Sequence, residues 1–230
     1  MSSDDRRDQG QDATDALLLA YRSGLFPMAH PFSGAIMWCS PEMRGVLPLT
    51  EQDGLHVSRS LERRIRSGWF ELRADTDFEE VVHRCAADRE DGSWIDGRIV
   101  RWYRDLFERG HAHCMEAWRT DPGTGTEELV GGVYGVSIGS AFFGESMFSR
   151  PLERLPNGER HPLDGADASK VCLIALVRHL RACGYELFDT QFQNDHIEQF
   201  GVHEIPQEEY LERLESSVDR PDAWRPLGGA

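Results

Sequence analysis

The second half of the chain switches from a helical to an extended pattern, and this switch most constrains the fold. β-branched and aromatic residues occur there in short runs that glycine-rich turns separate, which predicts strands over residues 113–119, 128–138 and 140–146. A helix from Asp167 or Ser169 to Cys183 and a strand over Leu187–Phe192 follow. Antiparallel strands followed by a helix and a strand predict an α/β (α+β) fold in which helices pack on a mixed sheet.

The first half of the chain is predicted to begin with a small separate lobe. Residues 1–12 are polar and acidic and are expected to be disordered, whereas a helix is predicted from Asp15, which can cap it, to Arg22. Prolines and glycines then favour loops and short strands. The expected domains are therefore a lobe of residues 1–50 and a larger domain of residues 51–230. In the larger domain, helices are also predicted over residues 58–66, 77–87, 96–109, 195–200 and 207–216, and a strand over residues 70–74.

The charge of the chain is distributed unevenly. Its 25 basic and 40 acidic residues give a formal net charge of −15, which by itself argues against a nucleic-acid partner, because phosphates bind Lys and Arg. Residues 56–66 nevertheless hold four arginines against one glutamate, a local charge of +3. Arg59, Arg63 and Arg66 share one helix face, and Arg64 lies beside them. A solvated helix face and a nucleic-acid surface both fit this pattern.

A carboxylate and an amide occupy alternate positions of one predicted strand. Asp189 and Gln191 would project from the same face of that strand, and the phenylalanines around them from the other. Buried polar groups are hydrogen-bonded, so the two side chains hold either each other or a ligand. Glu145 follows the apolar run of residues 141–143 and lies either at the surface or in a cleft.

Large apolar side chains are candidates for a pocket as well as for the core. The helix over residues 168–183 is rich in leucine and valine, which either pack in the core or line a pocket. Trp94 lies in a polar loop, and Trp38 and Met28 lie in the N-terminal lobe. Each of these three side chains either packs between the lobes or stacks on a ligand such as a base.

Several classes of site lack support in the sequence. The five cysteines form no CxxC pair and the histidines show no metal-ligand spacing, so neither a disulfide framework nor a metal site is expected. No nucleotide-binding or nucleophile motif is present, and no cofactor is expected. The apolar runs are far shorter than the roughly 20 residues of a membrane span, and the polar N-terminus is unlike a signal peptide. We therefore expect a cytoplasmic monomer with no membrane partner.

The combination of these segments resembles the bacterial leucyl/phenylalanyl-tRNA–protein transferases. The similarity is collinear over about residues 16–215, and FFGESMFSR and DTQ are its most specific motifs. The segments that carry it are AYRSGLFPM (20–28), MWCSPEMRGVLPL (37–49), HVSRS (56–60), DGSWI (91–95), GHAHCMEAW (110–118), LVGGVYGVSIGSAFFGESMFSR (129–150), DASK (167–170) and LFDTQFQNDHIEQFGVHEIPQEEYL (187–211).

The resemblance implies an enzyme that moves Leu, Phe and, less readily, Met from aminoacyl-tRNA to the N-terminal Arg or Lys of a protein, which marks that protein for N-degron proteolysis. Its main partners would be Leu-tRNA and Phe-tRNA. It implies a GNAT-like acyltransferase domain behind a small N-terminal lobe. Asp189 and Gln191 would form the catalytic pair, and Glu145 would contact the α-amino group of the donor. The aminoacyl pocket would be lined by Val133, Met147, Leu173, Leu176, Leu180 and Phe188. Adenosine and tRNA would bind at Trp94, Met28, Trp38, Arg59, Arg63, Arg64 and Arg66.

The sequence differs from the family in some features, and two alternative functions remain to be compared with this one. The family often has Trp where Met28 stands, and the polar loop of residues 151–166 is longer than usual. We expect this loop to be mobile and to act either as a lid or as a limit on acceptor access. The rival functions are an acetyl-CoA-dependent N-acyltransferase, for which residues 167–173 lack the Gly-rich pyrophosphate loop, and a non-catalytic tRNA-binding protein.

Overall fold

The computed structural model describes residues 3–30, 33–87 and 95–227, and within them the side chains from residue 13 onward. The helices are α1 (Ser3–Arg22), α2 (Arg59–Arg66), α3 (Phe78–Ala87), α4 (Gly97–Glu108), α5 (Ala168–Cys183), α6 (Asp195–Glu198) and α7 (Gln207–Val218). The strands are β1 (Phe26–Ala29), β2 (Ile36–Cys39), β3 (Met43–Val46), β4 (Glu71–Ala74), β5 (Ala112–Thr120), β6 (Glu127–Ile138), β7 (Ala141–Ser149), β8 (Leu187–Gln191) and β9 (His203–Pro206).

A seven-stranded mixed sheet organises the described part of the chain. Its strand order is β4-β5-β6-β7-β8-β3-β9, and β1 and β2 form a separate two-stranded sheet. Neighbouring strands are antiparallel except β7 and β8, which run parallel because α5 carries the chain back between them. The predicted mixed sheet with packed helices is confirmed, whereas the likeness to the GNAT superfamily stays a prediction.

Helices cover both faces of this sheet and create two apolar cores. On one face, α5 packs on β5, β6 and β7, and its leucines and valines are buried together with Phe142 and Phe188. On the other face, α1, α3, α4 and α7 enclose a second core around Tyr134 and Phe143. The sheet is therefore buried on both sides, as expected for long apolar strands.

The N-terminal region differs from its prediction in two ways. Helix α1 begins at Ser3, so residues 3–12, which were expected to be disordered, are helical. Strand β3 lies inside the large sheet, between β8 and β9, although it precedes the boundary expected near residue 50. Strands β1 and β9 were not predicted, because each contains a proline, which argues against a strand.

The divergence of β7 and β8 opens a gap in the sheet. Their parallel pairing runs from Ala141 opposite Leu187 to Phe143 opposite Asp189 and goes no further. Beyond that point β7 continues along β6, while the end of β8 pairs with β3 at Gly45. Only glycine fits at this crossing, since a Cβ atom on Gly45 would lie 2.8 Å from the Thr190 hydroxyl oxygen. The gap between the two strands holds a cavity that we call the main cavity, because Glu145 and Gln191 line it and not because of its volume.

The loop of residues 151–166, expected to be mobile, is held down by hydrogen bonds. Its residue Asp164 accepts hydrogen bonds from the backbone N–H of Leu152 at 2.9 Å and from the Arg160 side chain at 2.6 Å. The Trp69 indole donates to the Asp164 carbonyl at 3.0 Å, and Arg119 donates to the carbonyl of Pro162 at 2.7 Å. A polar composition did not reveal the bonds from Trp69 and Arg119, because these two residues are distant from the loop in sequence.

Candidate active site

The main cavity lies where β7 and β8 diverge and has a volume of about 350 Å³. Its walls are mostly apolar, and its polar wall includes Glu145 and Gln191, which are both 8% exposed. A second cavity adjoins it, because Met147 and His196 line both. An apolar cavity with a few convergent polar groups is the usual form of a site for a small ligand or group.

Asp189 does not line this cavity but lies behind it in a fully buried ion pair. Arg44 donates to Asp189 from Nε at 2.9 Å and from Nη2 at 2.6 Å, and both side chains are at most 1% exposed. Tyr210 donates a further hydrogen bond to Asp189 at 2.8 Å, and the Arg44 guanidinium lies between the rings of Phe26 and Tyr210. Burial opposes the charge of Arg44, but Asp189 raises the pKa of this guanidinium, so the two charges stabilise each other.

Asp189 also fixes the backbone of Gln191. The Gln191 N–H donates to Oδ1 of Asp189 at 2.7 Å, and Gln191 has a φ of +62°, in the left-handed region that non-glycine residues rarely occupy. This conformation ends the strand alternation that predicted Asp189 and Gln191 on one face. The Gln191 side chain turns into the cavity wall, where its Nε2 donates to Oε1 of Glu145 at 2.9 Å.

Glu145 receives hydrogen bonds from two buried tyrosines. The Tyr21 hydroxyl lies 2.7 Å from Oε1 and the Tyr103 hydroxyl lies 2.7 Å from Oε2, while the two hydroxyl oxygens are 2.9 Å apart. Burial raises the pKa of Glu145 to about 7, although the hydrogen bonds from Tyr103 and Tyr21 act in the opposite direction. A carboxyl group in this range can exchange a proton near neutral pH.

Two models of one protein family together match most of the chain. Residues 46–215 match the model of the leucyl/phenylalanyl-tRNA protein transferases, and residues 13–42 match the model of the N-terminal domain of the same family. The first match alone covers more than half of the chain. The chain belongs to the leucyl/phenylalanyl-tRNA protein transferase family. It is therefore an aminoacyltransferase, of a family that uses aminoacyl-tRNA and protein acceptors, and the predicted family is confirmed.

Both matched segments contribute to the site of this transferase. Tyr21 belongs to the N-terminal match, whereas Glu145, Asp189 and Gln191 belong to the longer one. The two segments meet between residues 42 and 46, whereas the sequence placed a boundary near residue 50. The N-terminal segment therefore contributes to the candidate site, where Phe26 and Met28 line the main cavity and Tyr21 contacts Glu145.

Four of the six side chains predicted for the aminoacyl pocket line the main cavity. They are Val133, Met147, Leu173 and Phe188. Leu176 and Leu180 do not line it; both are completely buried in the core beneath α5, because only the first half of that helix reaches the gap between β7 and β8. The sequence did not identify Phe26, Phe192 and Ile197, which complete the apolar wall from other elements.

The candidate adenosine-binding residues are spread over different places. Met28 lines the main cavity, whereas Trp38 lies on the outer surface, 45% exposed, with its ring stacked at 6.5 Å on that of Trp102. Trp94 lies outside the described residues. The interpretation of Trp94 as a stacking residue therefore stays a prediction.

The arginine-rich segment forms the helix that was predicted. Ser58 caps α2 by accepting a hydrogen bond from the Leu61 N–H at 3.2 Å. Arg59, Arg63 and Arg66 are exposed. Arg64 is half-buried and lies over the Trp69 ring at 5.9 Å. The helix packs on α5, on the same face of the sheet as the loop of residues 151–166.

The sequence did not single out four residues that contact the carboxylates of the candidate site: Arg44, Tyr21, Tyr103 and Tyr210. All four are at most 1% exposed and hold the carboxylates of the site. Three of them, Tyr21, Arg44 and Tyr210, lie inside segments that carried the family resemblance, which was the only signal available for them. Within the described ranges, no group of three His, Cys, Asp or Glu side chains is placed to hold a metal ion, and no helix is both long and apolar enough to cross a bilayer.

Proposed function

We propose that this transferase moves leucine or phenylalanine, and less readily methionine, from its tRNA to the N-terminal Arg or Lys of an acceptor protein. The product carries a new peptide bond and an N-terminal residue that directs it to N-degron proteolysis. The observation that supports this proposal best is the main cavity: an apolar hollow for a Leu or Phe side chain with Glu145 and Gln191 on its polar wall. An apolar pocket separates similar apolar side chains only weakly, which suits a dual Leu and Phe specificity.

The chemistry needs positioning more than a strong nucleophile, because an aminoacyl ester is already activated. The amide nitrogen of Gln191 donates to Glu145, so its side-chain oxygen is left to accept a hydrogen bond from an amine of the substrates. Asp189 acts as a positioning residue in this scheme. It holds the backbone of Gln191 rather than its side chain, and Arg44 keeps it in place.

The tRNA would approach over α2, whose Arg59, Arg63 and Arg66 side chains are exposed and form no ion pair with the described residues. The terminal adenosine would lie near Met28, at the rim of the main cavity. The large negative charge elsewhere on the protein would favour an acceptor with a cationic N-terminus.

The direct test is transfer of labelled leucine from Leu-tRNA to a peptide that begins with Arg. We expect labelling of the Arg and Lys peptides and little labelling of a matched peptide that begins with Ala. A panel of charged tRNAs would rank Leu, Phe and Met. Failure to label any peptide, with tRNA binding intact, would favour the non-catalytic tRNA-binding protein.

The acetyl-CoA-dependent alternative has a separate test. A thermal-shift titration with acetyl-CoA is expected to leave the unfolding temperature unchanged, since the segment before α5 has no Gly-rich pyrophosphate loop. Stabilisation by acetyl-CoA at micromolar concentration, together with acetylation of the same peptides, would replace the proposal by this alternative.

A further inference from the structure

Three short oxygen–oxygen contacts close a ring behind the polar wall of the main cavity. We call it the carboxyl–tyrosine ring; it consists of Glu145, Tyr21 and Tyr103. Its contacts are 2.7 Å from Tyr21 to Oε1, 2.7 Å from Tyr103 to Oε2 and 2.9 Å between the two hydroxyls. Each distance is that of an O–H···O hydrogen bond, so each contact needs one proton between its two oxygens.

The ring contains more contacts than the tyrosines can supply with protons. Each tyrosine hydroxyl carries a single hydrogen, so Tyr21 and Tyr103 provide two protons for three contacts. The third contact is a hydrogen bond only when the carboxyl group supplies its proton. With Oε2 protonated, Glu145 donates to Tyr103, Tyr103 donates to Tyr21, and Tyr21 donates to Oε1. The remaining lone pair of Oε1 then accepts a hydrogen bond from Nε2 of Gln191 at 2.9 Å. The carboxyl group, both tyrosine hydroxyls and this amide nitrogen are then all hydrogen-bonded.

The ionised form of Glu145 is stabilised almost as well. Tyr21 and Tyr103 then each donate to their own carboxylate oxygen, and only the contact between the two hydroxyls loses its proton. Burial and the nearby carboxyl raise the pKa of both tyrosines well above its ordinary value, so both stay donors. The ring can therefore gain or lose one proton without moving any side chain.

We propose that Glu145 accepts the proton released by the attacking amine, and that Tyr21 and Tyr103 are positioning residues that hold its carboxyl group ready for this transfer. The proposal rests on the proposed function, because it concerns the same aminolysis. Glu145 lines the main cavity, so it is open to the substrates, whereas Asp189 is closed off from them.

The proposed step balances in atoms and protons. The neutral N-terminal amine of the acceptor attacks the ester carbonyl carbon, a C–N bond forms, and the C–O bond to the ribose breaks. The amine nitrogen loses one proton to the Glu145 carboxylate, and the contact between the two tyrosine hydroxyls becomes a hydrogen bond again. Glu145 then returns this proton to the leaving ribose oxygen. No proton is consumed overall, and no further reactant is needed.

The charged and titratable groups around Glu145 are consistent with this role. Asp189 raises the pKa of Glu145 and Arg44 lowers it, but the charge of Arg44 is engaged by Asp189. The side chains that face Glu145 or share its cavity are Tyr21 on α1, Tyr103 on α4, Tyr134 on β6, Arg44 on β3, Asp189 on β8 and His196 on α6.

The first experiment compares the wild-type protein with Glu145→Gln. A glutamine reproduces the neutral ring, because its oxygen accepts from Tyr21 and its NH₂ group donates to Tyr103, but it cannot take up a proton. We expect single-turnover transfer from Leu-tRNA to an Arg peptide to fall by about 10²-fold, with tRNA affinity kept. A rate within twofold of wild type would overturn the proton-acceptor role alone, whereas absence of transfer by the wild-type protein would refute the proposed function itself.

The second experiment uses the pH profile of the transfer rate with a matched control. Tyr103→Phe removes a donor to the carboxylate of Glu145, which raises the pKa of Glu145, so the rising limb of the profile moves to higher pH. Tyr210→Phe removes a tyrosine hydroxyl donor from Asp189 and should leave the rising limb of the pH profile at its wild-type position. A limb that follows the amine pKa of different acceptor peptides and does not move in Tyr103→Phe would contradict the proposal.

An infrared readout tests the ring independently of catalysis. The difference spectrum between wild type and Glu145→Gln should contain the C=O stretch of a protonated carboxyl group at low pH. This band should disappear as the pH rises through about 7. No such band at any pH at which the protein is folded would show that the ring holds no proton.

Discussion

The two buried carboxylates of the candidate site, Asp189 and Glu145, have opposite environments. Asp189 is 0% exposed and is held by a guanidinium, a tyrosine hydroxyl and a backbone N–H. Glu145 is 8% exposed and is held by two tyrosines and an amide, all of them neutral. Asp189 is paired with a full positive charge, whereas the hydrogen-bond partners of Glu145 are all neutral and burial raises the pKa of Glu145 to about 7. Differences between neighbouring carboxyl groups commonly separate structural from proton-transferring roles.

The largest expected effect comes from removing the cation that pairs with Asp189. Arg44→Met would leave the Asp189 charge buried without a cation, and we expect the free energy of unfolding to fall by about 3–5 kcal/mol. Denaturation in urea measures it. The double variant Arg44→Met with Asp189→Asn removes both charges and should recover part of the loss; equal stability of the two variants would mean that the pair is not the cause.

A smaller effect distinguishes Glu145 by its pH dependence. Its pKa rises from 4.5 in the unfolded chain to about 7 in the folded protein. The folded protein therefore binds more protons in this range, so the stability that Glu145 contributes is full below pH 4.5 and is lost as the pH rises through about 7. The lost stability is about 3 kcal/mol, from 1.36 kcal/mol per pKa unit. Because glutamine mimics the neutral carboxyl group and does not titrate, the free energy of unfolding of wild type should fall relative to that of Glu145→Gln over this range, and a constant difference between the two would contradict the assignment.

Removal of one hydroxyl from each carboxylate sharpens the comparison. Tyr210→Phe takes one of several donors from Asp189, and we expect a loss of about 1.5–3 kcal/mol in the free energy of unfolding, independent of pH near neutrality. Tyr103→Phe should destabilise the protein by an amount that increases as the pH rises, because the lost hydroxyl stabilises the ionised form of Glu145 more than the neutral form. Thermal unfolding across a pH series distinguishes the two variants.

The smallest effect concerns a surface that is separate from both carboxylates. Arg63→Gln should weaken tRNA binding and reduce the slope of log affinity against log salt by about one unit. The pH profile of transfer at saturating tRNA should stay that of wild type. Glu71→Gln changes an exposed residue of β4, away from α2, and serves as the control. It should leave the salt dependence of tRNA binding unaltered. An unchanged slope in Arg63→Gln would remove α2 from the tRNA surface.

The sequence by itself determined the periodic parts of this protein. The strands from residue 112 to residue 149, the apolar helix α5 and the capped helix α2 were predicted, because each is long or carries a local signal such as a cap. It also located Glu145, Asp189 and Gln191 as residues of interest, through strand spacing and the family motifs.

Only the tertiary structure decided what these residues do. Strand alternation placed Asp189 and Gln191 together, but the left-handed backbone at Gln191 separates them. The partners that assign their roles come from α1, β3, α4 and α7, more than 20 positions away along the chain in every pairing of Arg44, Tyr21, Tyr103 or Tyr210 with these carboxylates. Whether a buried carboxyl group is fixed or exchangeable depends on the charge of its neighbours, and a sequence pattern contains no information on which distant side chain becomes a neighbour.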